Sequence, residues 1–131
     1  MNRVVHFEIQ AEKPERAAKF YREVFGWKIE KWEGTMEYWI VMTAEKDSKE
    51  LGINGGLLLR PAKTPPKECG TNAYVCTVQV EDFDETAKKI KNAGGIVAMP
   101  KFAIPKMAWQ GYFLDTESNT FGVHQPDENA K

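Results

Sequence analysis

The chain has 131 residues, enough for a single unit with a real core, and its 42% hydrophobic and 28% charged residues are those of an ordinary soluble globular protein. A net charge of −1 without a clustered basic patch excludes the electrostatic footprint that nucleic-acid binding needs, and no apolar run approaches a signal peptide or a membrane span. The two cysteines, Cys69 and Cys76, lack the Cys-x-x-Cys spacing, and both read as reduced thiols in a cytoplasmic protein.

The opening stretch "VVHFEIQA" alternates with period two and predicts a β-strand. Val5, Phe7, Ile9 and Ala11 form its apolar face, and His6, Glu8 and Gln10 its polar one. A helix follows. Pro14 suits its first position, Ala17, Phe20, Tyr21 and Val24 make an apolar stripe, and Gly26 stops it. Trp27, just past that glycine, reads as a core residue. Three strands are expected next, near Lys28–Trp32, Glu37–Thr43 and Asn54–Leu59. "RPAKTPPKECG" has three prolines and no apolar period, so residues 61–71 read as a linker.

The pattern then starts again. Slid by 69 positions, the first part falls on the second. Val5, Phe7, Ile9 and Ala11 land on Tyr74, Cys76, Val78 and Val80, while His6, Glu8 and Gln10 land on Val75, Thr77 and Gln79. The second helix begins at Asp82, an N-cap type with Glu85 three residues on, and carries Phe83, Ala87 and Ile90 on one face. Gly94-Gly95 ends it. Strands are expected near Ile96–Met99, Gln110–Leu114 and Thr120–His124. Between the first two, "PKFAIPKMA" reads as a loop with two prolines. Between the last two, "DTESNT" reads as a turn with Asn119 left-handed.

The expectation is an α+β protein of two tandem βαβββ modules, about 2–60 and 72–125, within one domain of residues 1–131 whose last residues, 126–131, form a tail. A four-stranded sheet with one helix has one uncovered face. Two such faces would form a half-open barrel with the helices outside and a cleft within. His6, Glu8 and Gln10 would line that cleft together with Val75, Thr77 and Gln79.

"HFEIQAEKPERAAKFYREVFGW", "VEDFDETAKKIKNAGGIV" and "YFLDTESNTFGVHQ" resemble the vicinal oxygen chelate superfamily, which includes glyoxalase I, bleomycin-resistance proteins and extradiol dioxygenases. "GGLLLR" and "PKFAIPKMAWQGYFLDTESNTFGVHQ" resemble its small glyoxalase-like members. The resemblance implies a homodimer. It also implies a divalent metal on four ligands, carried by the first and last strands of each module. His6 matches the first of those positions, but Val75 and Gly122 stand at two others, and no carboxylate or histidine lies between Gly52 and Leu59. A catalytic zinc wants three protein ligands and a non-haem iron three. The expectation is therefore no cofactor and a small-molecule ligand. The competing reading is a displaced metal held by His6, Glu8 and His124, in a lyase, isomerase or dioxygenase. His6 and Glu8 are roughly 7 Å apart along one strand at ~3.3 Å per residue, which is awkward for one ion. A third reading is a protein that sequesters an antibiotic.

The candidate ligand-binding residues are His6, Glu8, Gln10, Thr77, Gln79, Met107, Trp109 and His124. Glu8 is the candidate general base, because a carboxylate on a concave floor is desolvated. Gln10 and Gln79 read as an amide pair between modules. Met107 and Trp109 follow the proline loop expected to overhang the cleft. The bland alternatives are a hydrogen-bonded structural His6, a solvated Glu8 and local packing of Trp109. Neither a nucleophile elbow nor a phosphate loop is present.

Overall fold

The computed structural model describes residues 3–69 and 74–131, and the chain divides into two compact units, Met1–Thr64 and Pro65–Lys131. The first contains β1 (Phe7–Ala11), α1 (Pro14–Phe25), β2 (Lys28–Lys31), β3 (Tyr38–Met42) and β4 (Gly55–Leu59). The second contains a 3-10 turn (Lys67–Cys69), β5 (Thr77–Gln79), α2 (Phe83–Asn92), β6 (Ile96–Ile104), β7 (Ala108–Leu114) and β8 (Thr120–Pro126). Each unit forms its own four-stranded mixed sheet, in the order β1-β4-β3-β2 and β5-β8-β7-β6. The two orders are the same topology, as two βαβββ modules require. In each, the first strand pairs parallel with the last and the remaining pairs are antiparallel.

In the first unit, Ile9 and Ala11 of β1 are buried together with Ala17, Phe20, Tyr21 and Val24 of α1, Ile29, Trp39, Val41 and Leu57. Hydrophobic burial of this face, about 25 cal/mol per Å² of apolar area, is what holds helix to sheet. Pro14 starts the helix and Gly26, left-handed at φ 69°, caps its end through its N–H to the Arg22 carbonyl. Trp27 stacks on Tyr21, with ring centroids 5.2 Å apart. The Trp39 indole N–H donates to Glu15 on α1 at 2.9 Å, a polar tie between helix and sheet.

In the second unit, Phe83 and Ile90 of α2 are buried with Phe113, Phe121 and Val123. Phe113 lies 6.0 Å from both Phe83 and Phe121, centroid to centroid. Asp82 caps the helix by accepting from the Glu85 N–H at 2.9 Å. Ala87 is half-buried, and Thr86 occupies the buried position instead.

Four local expectations are corrected. Val5, Tyr74 and Cys76 are exposed rather than helix-facing. The parallel ladders begin only at Phe7↔Gly55 and Thr77↔Gly122, so the preceding residues lie outside the sheets. The stretch "PKFAI" is not a loop but the second half of β6, which runs to Ile104. Its proline is tolerated because β6 is an edge strand whose register slips between Met99 and Phe102. In the "DTESNT" turn the left-handed residue is Ser118, at φ 62°, not Asn119. The Asp115 carboxylate fixes that choice by accepting from the N–H groups of both Glu117 and Asn119. Lastly, residues 127–130 turn back onto the β6–β7 hairpin. The Lys106 N–H donates to the Ala130 carbonyl, the Asp127 N–H donates to the Met107 carbonyl, and Ala130 is buried.

Candidate functional site

Alternation along the strands gives each sheet a face away from its helix. In the first unit β1 places Glu8 and Gln10 on that side, and His6 stands just before the strand. Register adds Gly56 and Leu58, which pair with Glu8 and Gln10, and Tyr38 and Ile40, which pair with Leu58 and Gly56. Tyr38 is the residue that joins them. Its hydroxyl lies 2.8 Å from His6 Nε2, and the Glu8 carboxylate stands near enough to act on it. Burial, followed by the Glu8 carboxylate, pushes the Tyr38 hydroxyl above its ordinary value. Gly56 makes the arrangement fit. A Cβ at that position would stand 1.8 Å from the Tyr38 hydroxyl oxygen, so only glycine leaves the phenol room to lie across β4.

A recess of about 450 Å³ adjoins this cluster, lined by Arg3, Val4, Val5, His6, Gly52, Ile53 and Asn54. His6 belongs to both. Asn54 is held by its side-chain carbonyl, which accepts from the Thr43 N–H at 2.8 Å. That bond leaves the amide N–H groups of Asn54 directed elsewhere.

The second sheet places Thr77, Gln79, Gln110, Tyr112, Gly122 and His124 on its helix-free face. Thr77 pairs with Gly122, and Gln79 with His124. His124 Nδ1 is 2.8 Å from the Gln110 side-chain oxygen, and Gln110 is buried. A carbonyl oxygen accepts, so His124 carries its proton on Nδ1 in this bond. A Cβ at Gly122 would stand 2.5 Å from Thr77 Oγ1 and 3.0 Å from Gln110 Nε2.

The sequence-derived candidates therefore separate into groups. His6 bonds Tyr38, with Glu8 and Gln10 next along the same face. Thr77, Gln79 and His124 share the corresponding face of the second sheet. Met107 is exposed, in the β6–β7 turn. Trp109 lies on the opposite, helix-bearing side of β7. Its indole N–H donates to Asp127 at 2.9 Å, and the Lys101 ammonium, which is paired with Asp84 of α2, sits 4.7 Å from its ring. The Asn129 backbone N–H, then the Trp109 indole, hold the Asp127 carboxyl below its ordinary value. Tyr38, Gly56 and Gln110 escaped the sequence reading. Tyr38 and Gln110 are polar residues in apolar strands, a signal that was legible. The cross-strand register that gives them their partners was not.

Among the described residues no group of three His, Cys, Asp or Glu side chains could hold a metal ion. On the first sheet His6 and Glu8 offer one imidazole and one carboxylate, and Gly56 opposite Glu8 offers no donor. On the second, Thr77 faces Gly122. Neither set fits a catalytic metal that wants three protein ligands. Among the described residues no helix is long and apolar enough to cross a membrane.

Residues 3–123 match the family model of the Glyoxalase/Bleomycin resistance protein/Dioxygenase superfamily. No curated protein matches the sequence. Similar solved structures include the fosfomycin resistance protein FosX of Listeria monocytogenes, at 13% identity and a TM-score of 0.70 over 97% of this chain and 95% of that one. They include TnmS3, an antibiotic binding protein from Streptomyces sp. CB03234, at 22% identity and a TM-score of 0.68 over 97% and 98%. Hypothetical protein SA1046 from S. aureus aligns at 16% identity and a TM-score of 0.69 over 95% and 97%. Identities this low carry the fold and no chemistry.

Proposed function

Because this chain belongs to the glyoxalase/bleomycin resistance protein/dioxygenase superfamily, in which one fold serves several chemistries, we propose that it binds a small organic molecule without the superfamily's usual divalent metal. The ligand rests against the helix-free faces of the sheets. His6, Glu8 and Gln10 are its polar contacts in the first unit, and Thr77, Gln79 and His124 in the second. The observation that carries this reading is the bond of His6 to the Tyr38 hydroxyl, which lies over Gly56, the residue opposite Glu8. There one candidate metal donor, His6, is engaged by a phenol instead. A site of this kind recognises a ligand by hydrogen bonds, with apolar area from Ile40 and Leu58 beside it.

The test is metal analysis of protein purified without a histidine tag, combined with a thermal-shift screen of small molecules. The expected outcome is protein free of stoichiometric metal that gains thermal stability with a screened compound and loses that gain in Glu8→Gln. Stoichiometric zinc, nickel, iron or manganese that disappears in His6→Ala would overturn it in favour of a metal-dependent lyase, isomerase or dioxygenase. Sequestration of an antibiotic is one form of the proposed binding, and a screen that includes such compounds addresses it. A homodimer and a cytoplasmic location belong to the same proposal, and light scattering and cell fractionation check them.

A further inference from the structure

The recess beside the first sheet lies outside the ladder. Its lining comes from residues just before β1 and just before β4. The two strands are parallel and begin at the same end, at Phe7↔Gly55, so the segments that lead into them run side by side. The recess of about 450 Å³ opens between those segments, a volume that suits a small organic molecule. The segment before β4 is fixed. Thr43 donates its N–H to the Asn54 side-chain oxygen at 2.8 Å and its hydroxyl to the Ile53 carbonyl at 2.8 Å. The Asn54 oxygen is thus taken, and its NH2 group is the end left to meet a ligand. Arg3 stands on the other segment. Among the described residues it has no hydrogen-bond or ion-pair partner, and no carboxylate belongs to the lining. Val4, Val5 and Ile53 supply an apolar wall, and each of the two valines is 77% exposed.

We propose that this recess is a binding site for a small aliphatic carboxylic acid. Arg3 takes the carboxylate, the Asn54 NH2 donates to it, and Val4, Val5 and Ile53 cover the hydrocarbon part. An arginine keeps its charge at every pH of interest and offers N–H groups that match a carboxylate. A fixed amide donor beside it sets where the acid group stands. The aliphatic wall favours a carboxylate on a branched hydrocarbon body over an inorganic anion, because covering that body is worth roughly 25 cal/mol per Å². A cationic ligand meets the Arg3 charge with nothing in the lining to offset it. The site stands beside the sheet face proposed above and does not depend on it.

The test is a titration with sodium isovalerate followed by nitrogen–proton NMR, with isovaleramide as the uncharged control and isoamylamine as the cationic one. Arg3→Gln removes the charge from a side chain outside every strand, so spectra away from the recess should overlay those of the wild type. Asn54→Asp keeps the oxygen that Thr43 bonds and replaces the donor with a negative charge. The expected result is that isovalerate saturably shifts the Asn54 NH2 and the backbone amides of Gly52 and Ile53, and that neither control does. Affinity should fall about tenfold or more in each variant, which is about 1.4 kcal/mol. Isoamylamine binding as well as isovalerate, an absence of saturable shifts, or an Arg3→Gln protein that binds like the wild type would overturn the proposal. Glu8→Gln separates it from the reading above. Affinity lost in Glu8→Gln and kept in Arg3→Gln puts the acid on the sheet face and overturns the recess alone. Affinity lost in Arg3→Gln and kept in Glu8→Gln supports the recess, whatever the screened compounds do.

Discussion

The two sheets solve one packing problem in two chemical ways. In each, a glycine of the last strand stands opposite a polar residue of the first: Gly56 opposite Glu8, and Gly122 opposite Thr77. In each, a side chain from the neighbouring strand fills the space above the glycine. In the first unit that side chain is the Tyr38 phenol, and it ends on the His6 imidazole. In the second it is the Gln110 amide, beside Tyr112, and it meets an imidazole. The first face centres on a phenol bonded to an imidazole, the second on an amide bonded to one. Shared backbone geometry therefore fixes where a functional group can stand without fixing what it does.

The strongest way to break this comparison is to put a methyl group on each glycine. Gly122→Ala meets short or buried neighbours on three sides, so overpacking should cost about 1–3 kcal/mol, read from the urea midpoint. Gly56→Ala meets the far end of the Tyr38 ring, which can swing out, and should cost less than Gly122→Ala while severing the His6–Tyr38 bond. Equal losses at the two positions would contradict the asymmetry.

The helices sharpen it further. α2 is capped by the Asp82 side chain, whereas Lys13 at the start of α1 makes no side-chain cap and the helix relies on Pro14. Asp82→Ala should cost about 1 kcal/mol, with the loss confined in hydrogen exchange to the first turn of α2.

The smallest effect concerns alkaline pH. Tyr38 holds its proton more tightly when folded than in the unfolded chain, whose ordinary value is 10.0. The stabilisation this brings is complete below that value and is lost as pH rises through the raised folded one. Tyr38→Phe should lack this share of the alkaline loss in a denaturation series. In Glu8→Gln the Tyr38 titration should fall relative to the wild type yet stay above the ordinary value, because burial, the larger cause, remains.

Much of the fold was legible because it is written in short-range patterns. Period-two strands, the stripe Ala17–Phe20–Tyr21–Val24, Pro14, Asp82 and Gly26 each act through neighbours within a few residues. The failures were long-range or conformational. Whether a strand passes through Pro100 depends on its lying at a sheet edge, which only the strand order reveals. Ser118 takes the left-handed position because Asp115 claims the Asn119 N–H, a competition that composition does not rank. Of the site, the polar face of the first strand could be read, since alternation alone sets it. Tyr38 could not be assigned to it, because its partner His6 is 32 positions away and meets it only through the β3–β4 and β1–β4 registers.

The parallel pairing of β1 with β4 carries a consequence for synthesis on the ribosome. β1 is translated ahead of its ladder partner and stays without it until Gly55–Leu59 follows, so its edge waits through the making of α1, β2 and β3. Among the described residues no strand of the second unit enters that ladder. The amino-terminal half thus holds every hydrogen-bonding partner of its sheet before the other half is translated, and nascent chains arrested shortly after Leu59 clears the exit tunnel should already protect the amides of β4.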